Sequence, residues 1–112
     1  ATLTMVGGRI CYYRLFEDRG WRTTAEELNS ALSQAQKDGT VMRAICIINP
    51  GNPVGTVLDY EEIAMFIQFA TARGLVILAD EVYQANVYSE GKTFHSFKKV
   101  LCELQKEDPT QY

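Results

Sequence analysis

The chain has 112 residues, 46% of them hydrophobic and 22% charged, which suits one globular domain with one modest core. Its net charge of -3 argues against a nucleic-acid partner, because no basic stripe exists to neutralise phosphates and Lys98–Lys99 is the only clustered pair of cations. No apolar run approaches the ~20 residues a membrane helix needs, and the opening ATLTMVGGRI lacks the basic and long apolar segments of a signal peptide.

In chain order, residues Arg9 to Phe16, rich in Ile, Tyr and Phe, read as a first strand. Thr24 and Glu27 have the spacing of a capping box, and Leu28, Ala31, Leu32 and Ala35 then share one face of a helix that Gly39 stops. Val41 to Ile48, interrupted only by Arg43, is a second strand, nearly continuous in apolar residues as strands buried on both faces are. Asp59 and Glu62 repeat the box, ahead of a stripe of Ile63, Phe66, Ile67 and Ala70, with Gly74 as the stop. Leu75 to Ala79 is a third strand of the same buried type. Asn86 to Thr93 reads as a loop, and Ser96 to about Lys106 as a helix with Phe97, Val100, Leu101 and Leu104 on one face. Alternating strands and helices predict an α/β fold with a mostly parallel sheet flanked by helices. Cys11, Cys46 and Cys102 show no metal-ligand spacing, no metal site is expected, and Cys46 reads as a small buried hydrophobe in a reducing, intracellular compartment. With no leading methionine and the polar ending QKEDPTQY, the chain reads as an excerpt or a processed product.

Ligands of parallel α/β sheets bind beyond the carboxyl ends of the strands, and two strands here end in unusual chemistry. One runs into Asn49-Pro50-Gly51-Asn52-Pro53-Val54-Gly55, where two Asn-Pro pairs stiffen the connection beyond what a simple crossover needs; an X-Pro bond is cis at little cost, and a cis bond there could aim an asparagine amide across the sheet end. The other runs into Asp80-Glu81-Val82-Tyr83. A carboxylate abutting apolar residues needs a partner or water, so Asp80 either caps the turn that Glu81 begins or faces a ligand. Tyr83 lies on the same side of a helical turn as Asp80. An amide, a carboxylate and a phenol so placed suit a flat polar ring with a cationic nitrogen, although a prolyl turn, a capping aspartate and a half-buried tyrosine would also account for them.

INPGNPVG followed by ADEVYQANVY resembles the fold-type-I pyridoxal-phosphate aminotransferases. Gly20-Trp21 and FHSFKKVL extend the likeness over the whole chain and into the alanine aminotransferase branch. The resemblance implies that residues 1–112 are the central, incomplete part of the large domain that binds pyridoxal 5'-phosphate. It implies that Asn52 bonds the cofactor's phenolic oxygen and lies near the substrate carboxylate, that Asp80 pairs with the pyridine nitrogen, and that Tyr83 donates to the same oxygen as Asn52. Relatives often carry threonine where Val54 stands, and no role is assigned to that side chain. The implied reaction converts alanine and 2-oxoglutarate to pyruvate and glutamate, in a homodimer located in the cytoplasm or the mitochondrion. Lys37, Lys92, Lys98, Lys99 and Lys106 match no Schiff-base motif, so no catalytic residue is expected within the chain and the isolated segment is predicted to be inactive. His95, a tempting general base, reads as a structural cap or surface residue. Two alternatives stand beside this reading: a non-catalytic fragment or interaction domain, and an aminotransferase of different amino-acid specificity. A nucleotide-binding α/β domain is disfavoured because no GxGxxG or GxxxxGK segment follows a strand.

Overall fold

The computed structural model describes residues 2–88 and 91–112. They fall into two compact units, residues 1–42 and residues 43–112.

The first unit opens with a single helical turn, α1 (Thr2–Met5), and contains one full helix, α2 (Ala25–Lys37). Thr24, in extended backbone, starts α2 by accepting from Glu27 N–H at 3.2 Å. The Glu27 carboxylate accepts from Arg14 N–H at 2.9 Å, so it ties the preceding segment to the first turn of the helix. Leu28 and Ala35 are buried, with Ala31 and Leu32 half-buried, which gives the expected stripe. Gly39 adopts φ 69°, a left-handed geometry that glycine takes without a Cβ penalty, and Thr40 N–H then closes back onto the Ala35 carbonyl at 2.8 Å.

The strand expected at Arg9 to Phe16 is not formed. Phe16 makes an isolated antiparallel bridge with Arg22 around a 3₁₀ turn at Glu17–Arg19, and residues 9–15 are irregular. A strand requires a neighbour to take its backbone bonds and cover its apolar side chains. Among the described residues of this unit there is no other strand, and Ile10, Tyr12 and Leu15 are exposed. β-forming residue types alone did not decide the conformation.

The second unit is a β-α-β-α arrangement: β1 (Ala44–Ile48), α3 (Tyr60–Thr71), β2 (Val76–Asp80) and α4 (Phe97–Glu107). The strands pair in parallel, from Ala44 opposite Val76 to Ile48 opposite Asp80. At α3 the capping box is complete, with Glu62 N–H on the Asp59 carboxylate at 3.0 Å and Asp59 N–H on the Glu62 carboxylate at 2.9 Å. Ile63, Phe66, Ile67 and Ala70 are buried as the stripe requires, and Gly74 (φ 61°) lets the chain turn back toward β2. Helix α4 starts at Ser96, whose hydroxyl accepts from Lys99 N–H, and it buries Phe97, Val100 and Leu104 while Leu101 is half-buried. Helices α3 and α4 pack on each other, with the rings of Phe66 and Phe97 6.3 Å apart. The loop expected at Asn86 to Thr93 is irregular where described; residues 89 and 90 lie outside the described residues. The result is α/β, with a small parallel sheet and flanking helices.

The strands are not buried on both faces. Ile45 and Ile47 are buried, whereas Cys46 and Ile48 between them are exposed, and across the pair Val76 and Leu78 are more than half exposed. Successive strand residues point to opposite faces, so the face of Ile45, Ile47 and half-buried Ile77 is packed except at exposed Ala79, and the other is bare. Cys46 therefore lies exposed on the open face rather than as a buried hydrophobe. Two mutually packed helices cover one face within residues 43–112, which is why an apolar run does not translate into double burial here.

Candidate active site

Both segments singled out in the sequence lie at the carboxyl ends of the paired strands, because β1 and β2 end level at Ile48 and Asp80. Asn49 extends the ladder by one further bond, its N–H donating to the Asp80 carbonyl at 2.9 Å.

Asn49 is fully buried, and its side chain explains how the following loop is held. Its Oδ1 accepts from Leu58 N–H at 3.0 Å, closing residues 49–58 into a ring, and its Nδ2 donates to the His95 carbonyl at 3.5 Å. Inside the ring, Gly51 N–H donates to Thr56 O at 2.8 Å and Gly55 N–H to Gly51 O at 2.7 Å. Both Asn-Pro bonds, Asn49-Pro50 and Asn52-Pro53, are cis. Pro50 and Val57 are buried at the base, while Asn52, Pro53 and Val54 are exposed at the tip.

From that tip the Asn52 amide reaches Tyr83: its Nδ2 donates to the phenolic oxygen at 3.1 Å. Tyr83 is carried by a turn over residues 82–85, in which Gln84 N–H donates to Glu81 O and Asn86 N–H to Tyr83 O. The pairing of Asn52 with Tyr83 across separate strand ends is the main feature of the site. A hydroxyl that accepts from an amide keeps its own proton for donation, and the amide keeps a second N–H. The pair therefore offers two donors on an exposed surface, a set suited to one anionic oxygen.

Asp80 is the last residue of β2, and its carboxylate is exposed, not buried as an aspartate paired inside a closed site would be. Its Oδ1 accepts from Val82 N–H at 3.3 Å, so the capping role is present. A carboxylate accepts more than one bond, so Asp80 caps its turn and retains capacity for a cationic partner.

Two residues that sequence reasoning passed over are part of the support. In the sequence Asn49 is the first half of an Asn-Pro pair, and an amide directly after an apolar strand is the signal that it is buried. Glu81 follows Asp80, and its Oε1 accepts from Phe97 N–H at 2.7 Å, which joins the Tyr83 turn to the start of α4. His95 does not cap α4, since Ser96 does. It is half-buried, with its ring edge-on to Tyr60 at 6.1 Å and its Nδ1 buried without a hydrogen-bond partner among the described residues. Lys37, Lys92, Lys98, Lys99 and Lys106 are all exposed, and Lys98 and Lys99 lie on α4 as a surface-helix pattern predicts. Among the described residues no cluster of His, Cys, Asp and Glu has the makings of a metal site, and no helix is long and apolar enough to cross a membrane.

Known proteins are similar to this chain in sequence. The chain is 51% identical over 104 residues to alanine aminotransferase 1 of Homo sapiens, covering 93% of this chain and 21% of that protein. It is 47% identical over 100 residues to the mitochondrial alanine aminotransferase 1 of Arabidopsis thaliana, covering 89% of this chain and 18% of the relative. The mitochondrial alanine aminotransferase of Saccharomyces cerevisiae is 40% identical over 112 residues, which is 100% of this chain and 19% of that protein. The chain thus spans about a fifth of the length of these relatives. The family described as aminotransferase class I and II matches residues 2–110, a stretch that contains the Asn52 loop, the Tyr83 turn and every regular element of the second unit; the chain belongs to that family.

Proposed function

We propose that the full-length protein is a pyridoxal-phosphate-dependent alanine aminotransferase, converting alanine and 2-oxoglutarate to pyruvate and glutamate. The observation that carries this reading is the Asn52–Tyr83 bond at the strand ends, in a chain 40–53% identical to alanine aminotransferases. On this reading residues 1–112 are the central part of the large, cofactor-binding domain. The working protein is a homodimer in the cytoplasm or the mitochondrion.

The donor set fits the cofactor. Asn52 and Tyr83 would both donate to the phenolic oxygen, stabilising its anionic form. Asp80 would face the ring nitrogen and keep it protonated, since an opposite charge nearby favours the charged form. When bound, the protonated ring supplies a sink for the electrons left when an amino acid loses its α proton. Asn52 would also orient the substrate carboxylate. None of the five exposed lysines carries a Schiff-base motif, so the lysine that performs proton transfer is assigned outside residues 1–112. Those residues alone are accordingly expected to be inactive.

The test is purification of the full-length protein, followed by its visible absorbance and alanine-dependent glutamate formation. Absence of bound cofactor, or of glutamate formation, would overturn the proposal, and a better amino donor than alanine would redirect its specificity. Asp80→Ala is expected to lower kcat by about 100-fold or more, the scale of losing one partner of a charge pair that the bound ring covers. An Asp80→Ala enzyme within a few-fold of wild type would remove Asp80 from its role.

A further inference from the structure

Asn52 and Tyr83 meet at 3.1 Å, a separation only useful if both backbones are held. The Asn52 loop is closed on itself through Asn49. Among the described residues the Tyr83 turn has no such closure: residues 82–86 are all exposed, and the backbone bonds within it are local. Among the described residues its tie to the packed helices is the Glu81 carboxylate on Phe97 N–H at 2.7 Å, at the short end of the range for a charge-assisted bond. Phe97 is 5% exposed and packs against Phe66 of α3, so its N–H is a fixed point. Glu81 sits between Asp80 and Tyr83, and its half-buried side chain points away from the exposed turn toward α4.

We infer that Glu81 is a positioning residue, which sets the placement of Asp80 and Tyr83 by anchoring their turn to the first N–H of α4. The inference rests on the proposed cofactor role of those two residues. Glu81 itself touches neither cofactor nor substrate on this reading. An uncharged acceptor of the same length, as in Glu81→Gln, still reaches Phe97 N–H, whereas Glu81→Ala leaves that N–H unpaired and the turn unanchored. Glu81→Asp, one methylene shorter, falls short of it.

The test uses the full-length holoenzyme and three variants, Glu81→Ala, Glu81→Gln and Glu81→Asp, with Leu104→Ala as a control that weakens the core of α4 further along the helix. Three readouts are taken well below Tm: cofactor Kd, the pH midpoint of the bound cofactor's visible absorbance, and amide exchange over residues 82–86. Glu81→Ala is expected to raise cofactor Kd by about ten-fold, the equivalent of one charge-assisted bond. It is also expected to move the absorbance midpoint and to speed exchange over 82–86. Glu81→Gln should restore all three to near wild type. Leu104→Ala should lower Tm while leaving Kd and the midpoint in place. If Glu81→Ala does not yield folded holoenzyme, Glu81→Asp carries the comparison with Glu81→Gln. Unchanged Kd and midpoint in Glu81→Ala or Glu81→Asp would overturn the inference, as would Leu104→Ala shifting them equally. Wild-type protein that binds no cofactor would instead defeat the functional proposal on which it rests.

Discussion

The two connections that leave the sheet at the same level are built in opposite ways. Residues 49–58 are organised around a fully buried amide, with Pro50 and Val57 packed beneath and three internal bonds closing the loop. Residues 80–86 are exposed from Val82 onward, and their bonds are short-range turns that water can replace. Exposed backbone bonds with little apolar cover mark the less stable parts of a protein. One half of the candidate site is thus fixed by its own interior, and the other depends on fastening from outside. The role proposed for both Asn52 and Tyr83 does not imply resemblance in how they are held.

That contrast predicts unequal costs, each measurable by chemical denaturation of the full-length apoprotein. The largest is Asn49→Ala, which orphans the Leu58 N–H and leaves a void; it is expected to cost about 2–3 kcal/mol. A loss below about 0.5 kcal/mol would mean that the loop is held by something other than its buried amide. Gly55→Ala comes next. Gly55 has φ 75° and open space where a Cβ would sit, so only backbone strain applies, about 1–2 kcal/mol. No measurable change there would show that the loop relaxes where its closure predicts rigidity. The smallest effect joins the two halves: a double-mutant cycle on Asn52→Ala and Tyr83→Phe should give a coupling of about 0.5–1 kcal/mol, as for an exposed hydrogen bond. Additive single variants would show that the pair is not coupled without a ligand.

Local signals were legible where the backbone itself carries the information. The Asp59–Glu62 box, the Thr24 cap and the Gly39 and Gly74 stops all fall where residue type and spacing put them, whereas the cap of α4 is Ser96 and not His95. Those features depend on neighbours within a few residues. What was misread depends on distant partners. Residues 9–15 have strand-forming side chains but no strand to pair with among the described residues of their unit. Cys46 looked buried because its neighbours are apolar, yet burial of a strand residue is decided by what covers its face. The site shows the same division. Asn52, Asp80 and Tyr83 stood out as unusual residues at strand ends, and the structure brings Asn52 and Tyr83 together. Asn49 and Glu81 act through bonds to Leu58, His95 and Phe97; the place of Asn49 after an apolar strand signals its burial, but no local pattern announces these partners. The Glu27 carboxylate is a smaller case: its spacing promised a reciprocal cap, and it is engaged by Arg14 N–H instead.

The register of β1 on β2 has a consequence for the spacing of the site. Sliding one strand past the other by a single residue would move Tyr83 relative to Asn52 by about 3.3 Å, the rise per residue of a parallel strand. That step exceeds the tolerance of a hydrogen bond. The same slip would exchange the two faces of the moved strand, turning the buried Ile45 and Ile47 outward or setting Leu78 where Ile77 now lies. Alternation of apolar side chains in the interior therefore works as a vernier for two polar groups at the rim, graduated in whole residues and read to within a bond length.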